Sequence, residues 1–543
     1  MFSGCTSLET APTLPATTLA DACYKYMFDN CTSLTTAPAL PAGTMTNRCY
    51  YQMFYRCTNL SAAPALPATT LANECYSGMF AECTGLTTAP ALPATTLADE
   101  CYNYMFHGCT SLTTAPDLPS TTLAPRCYRW MFGSCTSLTT APVLPAPTLT
   151  TSCYWQMFKG CTKLSSVTCL ATVISAEYCT TDWLDNAGTD PSVTSRQFFT
   201  PSTTAWENPS VSGIPENWTR VGPVDLASQG SNYVAQNGDI LTGTLASSVQ
   251  ISIADGATVV LDNLSINADG SLTSNPYAGI TCSGDATIVL SGTNTVKGMM
   301  ESAPGIKIES GKTLTLNGTG SLTVSSTGGG KGAGIGGWYN GTGGNLIING
   351  GTITASSNSG AGIGSSEDGS FGTITINGGT IVASSAGGAG IGAGLNGSCG
   401  NITITGGSVT ATNTSAEEGG AGIGGGLCSS RDVACGDILI SGGTVTATGG
   451  GSGAGIGAGY AITKNNTCGT ITITNGITQV QATRGSYSPG IIGASKEYDG
   501  GHSQCGTITI DGVADATTAS SFEHLNSALS NGDKTWTLTP KTP

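Results

Sequence analysis

A 26-residue unit repeats without slipping at the start of this chain: Met1, Met27, Met53, Met79, Met105, Met131 and Met157 each open the run Met-Phe-x-x-Cys-Thr-x-Leu. With so fixed a period, each unit can bury its apolar face only against its neighbours, so the fold has to be a stack. The core of a stack grows along an axis, and 543 residues therefore need not be divided into domains of ordinary size.

Within one copy, Met105 to Trp130, Cys-Thr-Ser-Leu leads into Ala-Pro-Asp-Leu-Pro. Two prolines three apart forbid a central ladder strand and favour a short extended arm. The preceding stretch from Thr95 to Phe106 reads as a short helix: Thr96 is placed to cap it, and Leu97, Cys101 and Met105 recur at i, i+4 and i+8. One extended arm plus one short helix per unit is a leucine-rich-repeat plan. The Met-Phe-x-x-Cys-Thr-x-Leu run followed by an apolar arm also resembles the BspA-like leucine-rich repeats of bacterial surface proteins, from which it departs in its Pro-rich arms and longer period.

From Val167 to about Gly222 the period is lost, and Trp183, Trp206 and Trp218 accompany Asp-Pro, Asn-Pro and Ile-Pro pairs. This reads as a cap on the last repeat followed by a linker. A looser repetition begins near Val224, marked by Ala-Gly-Ile or Pro-Gly-Ile at Ile280, Ile306, Ile335, Ile363, Ile391, Ile423, Ile456 and Ile491. Strands such as Thr373-Ile-Thr-Ile follow the markers, with Ile374 and Ile376 in phase and Ile381 resuming beyond a Gly-Gly corner. No helical period separates these strands, which predicts a right-handed parallel β-helix of eight coils, about 40 Å long at one strand spacing per coil. Growing insertions before Cys435, Cys468 and Cys505 should loop out from one edge, where solenoids usually bind. Ser521 to Asn531 reads as a short helix capping the last coil. The repeated Gly-Ala-Gly-Ile-Gly segments resemble β-helical carbohydrate-binding modules of gut bacterial and phage proteins. The expected organisation, mainly β, is a leucine-rich-repeat-like solenoid over 1–180, a cap and linker over 181–223, and the β-helix with its cap over 224–543.

The formal net charge of -15, with Lys and Arg scattered, makes nucleic acid a poor partner. No run of about 18 apolar residues exists, so no membrane insertion is expected. The N-terminus lacks the basic start and apolar stretch of a signal peptide, and Met1 is itself the Met of a repeat whose preceding half is missing. We read the chain as a fragment or as having an internal start, an idea that an upstream frame without further repeats would overturn.

Three cysteine series recur at fixed repeat positions: Cys5 to Cys161, Cys23 to Cys179, and Cys399, Cys435, Cys468 and Cys505. Buried thiol ladders account for them without any reactivity, with disulfides between the series as the alternative. No Cys-x-x-Cys pair supports a metal, and the odd total of 21 leaves at least one thiol unpaired within a chain. Gly332 to Gly337 and Gly420 to Gly425 match Gly-x-Gly-x-x-Gly, but that spacing recurs in several coils with no helix after it. It therefore reads as tight stacking, and no cofactor is expected. Glu367, Asp368, Glu417, Glu418, Asp432, Asp437, Glu497 and Asp499 do not repeat at a spacing that would stack a catalytic pair. His107, His502 and His524 have no nucleophile pattern, so an enzyme is not expected.

The positions that flank the constant Met-Phe vary freely, and their side chains should project as an outward stripe. Tyr26, Tyr51, Tyr55, Tyr104, His107, Arg129, Trp130 and Trp155 are its candidate binding residues. The plainer alternative is an unconstrained surface. The reading is a non-catalytic recognition protein, extracellular or on a cell or virion surface, binding glycans or host surface proteins. The alternatives are a structural spacer such as a phage tail-fibre shaft and, third, a polysaccharide-degrading β-helix.

Overall fold

The computed structural model describes residues 1–201, 206, 213–272, 277–326, 329–498, 500–510, 522–524 and 535–540. Two compact units, Met1–Pro223 and Val224–Pro543, make up the chain.

In the first unit every 26-residue repeat is one coil. The arms pair in parallel through single bridges, Thr36 with Ala62, Ala62 with Thr88 and Thr88 with Thr114, because the prolines beyond them have no N–H to extend a ladder. Arm leucines such as Leu40, Leu66, Leu92 and Leu118 point inward and are buried.

The short helix expected over Thr95 to Phe106 does not form; this stretch is a ribbon of overlapping turns. Alternate amides close i to i−3 turns within the coil: Cys101 N–H donates to Ala98, Asn103 to Glu100, Met105 to Tyr102 and His107 to Tyr104. The amides between them donate to the next coil, Tyr102 to Cys127, Tyr104 to Arg129 and Phe106 to Met131. Every fourth residue holds positive φ, as at Glu100 (54°), Tyr104 (57°) and Gly108 (72°). That is the position type II turns reserve for Gly or Asn. A helix would spend all of its amides internally, whereas this ribbon uses half of them to stitch coils together.

The ribbon puts residues in and out two at a time. Cys101, Tyr102, Met105, Phe106 and Cys109 are buried, and their counterparts stack in columns through the coils. Phe54, Phe80, Phe106, Phe132 and Phe158 lie with ring centroids 5.6 to 5.8 Å apart. Tyr50, Tyr76, Tyr102, Tyr128 and Tyr154 form a second column. Each such pair contributes about 0.5–1.5 kcal/mol beyond its buried area. The ribbon continues through Trp183, in the stretch expected to have lost the period, with positive φ at Tyr178, Asp182 and Asn186; there Trp183 takes the Met157 position and stacks on Tyr154 at 6.3 Å and on Trp206 at 5.4 Å. Ser166–Thr168, Gln197–Phe199 and Thr219–Val221 form a three-stranded parallel sheet there.

The second unit is a parallel β-helix. One coil runs through Ile363–Gly364, Ser370–Phe371, Ile374–Ile376 and Thr380–Ser385. The next follows in register, Ile363 beside Ile391, Ser370 beside Ser398, Ile374 beside Ile402 and Thr380 beside Ser408. Alternation decides which side chains face in: Ile374, Ile376, Ile381 and Ala383 are wholly buried. Among the described residues the Gly-Ile-Gly face holds ten strands, not eight, because Tyr233–Ala235 and Ile251–Ile253 join it without the glycine marker. In its last strand Ile492, not Ile491, pairs with Ile456, so the marker there is displaced by one residue.

The expected helix over Ser521 to Asn531 lies outside the described residues, apart from Phe522–His524, which form a strand. That strand pairs antiparallel with Thr535–Pro540, which itself pairs antiparallel with Ile477–Thr483 and buries Trp536 and Leu538. A reversed strand thus covers core at this end, encoded by the alternation Thr-Trp-Thr-Leu-Thr.

Candidate recognition surface

Between the buried apolar pairs the remaining pairs stack in columns of their own, in which Ser77, Ala81, Asn103 and Gly133 are also buried. The column of Tyr51, Ser77, Asn103, Arg129 and Trp155 runs beside that of Tyr26, Gln52, Gly78, Tyr104 and Trp130. Tyr55, Ala81, His107, Gly133 and Lys159 form a third.

The predicted stripe residues gather into separate clusters. Tyr104 and Trp130 stack at 5.7 Å with planes 9° apart, and His107 meets both edge-on at 5.5 and 5.2 Å. Gly133 makes this possible, since a Cβ there would press on the Trp130 ring and the His107 imidazole. Lys159 lies 6.0 Å from the Trp130 ring centre and is held from the far side by Asp185 at 3.0 Å. Burial holds the His107 pKa below its ordinary value, against the opposing pull of Glu82 at 3.7 Å.

Arg129 sits 4.3 Å over the Trp155 ring, whose other partner is Tyr178 at 5.9 Å. Arg129 Nε and Trp155 Nε1 are enclosed without a hydrogen-bond partner among the described residues. Towards the N-terminus, Tyr26 and Tyr51 meet edge to face at 5.5 Å with Lys25 over both, and Arg56 covers Tyr55. Tyr26 is 38% exposed, while Tyr51, Tyr55, Tyr104, His107, Arg129, Trp130 and Trp155 are half-buried. The stripe is not continuous. Ser77 and Ala81 are buried and Gly78 lies under the Gln52 side chain, so one low coil divides the Tyr26–Tyr51–Tyr55 group from the Trp130–Trp155 group.

The β-helix has an edge of its own. Lys307 lies over Trp338, Lys331 over Tyr339, and Lys496 over Tyr460 and Tyr487. Arg431, from one of the growing insertions, reaches back across coils to Asn340 Oδ1 and the Asp368 carbonyl, both at 3.1 Å. Sequence reading singled out these insertions but not the aromatic residues. The signal was present in Trp338-Tyr339, Tyr460 and Tyr487, each placed where a Gly-rich turn turns outward.

Four of the carboxylates singled out in this unit have partners within it. Asp432 accepts from Asn465 N–H, Asp437 from Thr470 N–H and Glu497 from Ser503 N–H, while Asp368 meets Arg431 and Tyr339. Among the described residues no group of His, Cys, Asp or Glu could hold a metal ion, and no helix is long and apolar enough to cross a membrane. All the described cysteines are free thiols.

Comparison with known proteins finds one repeat family in each unit. Residues 1–113 and 98–180 match the BspA type leucine rich repeat region, and residues 346–367, 374–395, 402–427 and 438–460 match the beta helix repeat. No curated protein and no solved structure matches the chain.

Proposed function

We propose that this chain, a BspA-type leucine-rich repeat solenoid followed by a β-helix, is a non-catalytic recognition protein of a cell or virion surface. Its ligand is a glycan or a host surface protein. The observation that carries this reading is the cluster of Tyr104, His107, Trp130, Arg129 and Trp155, which sets aromatic faces and a cation on a rigid stack of coils. Sugar rings stack on such faces, and protein interfaces draw most of their energy from Trp, Tyr and Arg. Repetition favours several weak contacts over one deep pocket. The commitment of Asp432, Asp437 and Glu497 to backbone amides supports a role without catalysis.

Screening the whole chain on a glycan array and against host surface extracts tests this directly. Trp130→Ala with Trp155→Ala should weaken binding by about tenfold or more, the loss of a hot-spot contact of about 1.4 kcal/mol or greater, while the cooperative unfolding transition persists. Unaltered binding in this folded double variant would end the reading.

A structural spacer is the second reading, favoured by the way the stripe residues meet their partners within the chain. A spacer would bind nothing on the array. A polysaccharide-degrading β-helix is the third, and a fall in polysaccharide viscosity would reveal it.

A further inference from the structure

The third cysteine series lies on a ladder of parallel strands, and among the described residues only its first member, Cys399, donates its thiol to a backbone carbonyl, that of Gly372 at 3.7 Å. In the first series, thiols are turned to the backbone: Cys57 Sγ donates to the Phe28 carbonyl, Cys83 to Phe54 and Cys109 to Phe80, at 3.0 to 3.1 Å. In the third, Cys399, Cys435, Cys468 and Cys505 are direct register partners on consecutive parallel strands. Cys468 is flanked by Cys435 on one neighbouring strand and by Cys505 on the other. Register partners on neighbouring strands lie about 4.8 Å apart, inside the roughly 4.4–6.8 Å Cα window that a disulfide spans. Exposure is graded along this column. Cys399, Cys435 and Cys468 are 6, 5 and 5% exposed, whereas Cys505, on the last strand of this sheet among the described residues, His502–Cys505, is half-buried.

We propose that Cys505 and Cys468 form a modification site, joined as a disulfide by exchange with a small-molecule disulfide such as oxidised glutathione. Cys505 is where a soluble disulfide can arrive, and among the described residues Cys468 is its one register partner. The Cys505 thiolate attacks a sulfur of the glutathione disulfide, the glutathione S–S bond breaks, and one glutathione thiolate leaves. The Cys468 thiolate then attacks the Cys505 sulfur of the mixed disulfide and expels the second glutathione. The protein dithiol loses two electrons and two protons, and the glutathione disulfide takes them up as two thiols. Cys399 and Cys435, enclosed deeper in the column, stay reduced. The neighbouring Cys468, and then burial, hold the Cys505 thiol above its ordinary value, so the exchange runs faster at alkaline pH.

Tryptic peptides separate the candidates: Cys435 falls in residues 432–464, Cys468 in 465–484 and Cys505 in 497–534. The full chain is incubated with oxidised glutathione at alkaline pH, its remaining thiols are alkylated under denaturing conditions, and the digest is read by mass spectrometry without reduction. The expected product is the 465–484 peptide linked to the 497–534 peptide, with Cys435 alkylated. Cys468→Ser should abolish the link and leave Cys505 as a stable glutathione adduct. Three results overturn the proposal: a glutathione adduct on Cys505 that persists in the unaltered chain, a link from Cys468 to Cys435, or an unreacted Cys505. All three are read on the unaltered chain, so the test stands whether or not the variant folds.

Discussion

Phe106 shows what one side chain does in a column. It is wholly buried, stacked on Phe80 at 5.8 Å and on Phe132 at 5.7 Å, and its carbonyl accepts both the Cys109 amide and the Cys135 thiol. Phe106→Ala therefore removes two ring contacts and leaves a cavity that neighbouring coils, pinned by their own hydrogen bonds, cannot close. We expect a loss of about 3–5 kcal/mol, measured by denaturant unfolding of the whole chain; a loss below about 1 kcal/mol would contradict the column. The roles of Phe106, Cys109 and Leu112 were legible in the sequence, since constancy at a fixed repeat position means burial against an identical neighbour. The clustering of Tyr104, His107 and Trp130 was not, because it depends on Gly133 one coil away leaving room for the rings. Glycine enters the β-helix for a similar reason. Gly364 and Gly392 hold φ of 135° and 134°, and a Cβ on either would collide with the carbonyl oxygen of the matching glycine in the next coil.

At the scale of the element, the turn ribbon is where sequence reading and structure part. Leu97, Cys101 and Met105 recur at a spacing of four, which on a helix of about 100° per residue drifts about 40° per step. In the ribbon the same spacing is native, because two overlapping turns advance the chain by four residues and return it to the same side. A second signal lay at Gly4, Asn30, Gly108, Gly160 and Asn186, all at one repeat position and all of the residue types that tolerate positive φ. Ser134 occupies that position with φ of 60°. In a helix, Ser134→Gly would cost roughly 0.5–1 kcal/mol. In the ribbon it relieves a left-handed non-glycine residue and should leave stability equal or raise it by up to about 1 kcal/mol. The sign of the change in unfolding midpoint decides between them.

For the whole molecule, the repeat makes stability close to a sum of coils and their interfaces. Excising residues 79–104, one full period, joins Gly78 to Met105 and restores every column, so the shortened chain should still unfold cooperatively, at slightly lower denaturant. Excising one residue fewer shifts each column downstream and should abolish cooperative folding, as followed by circular dichroism. By itself the sequence determined that the chain is two stacks of repeats and which of its constant residues each stack buries, because a fixed period leaves identical residues no other partners. Only the tertiary structure decided that half the ribbon amides bond across coils in place of a helix. It also decided that, among the described residues, ten strands rather than eight build the Gly-Ile-Gly face and that a reversed strand covers core at its end. These choices depend on hydrogen bonds and side-chain room between residues about a full coil apart in the chain, which a local pattern does not encode.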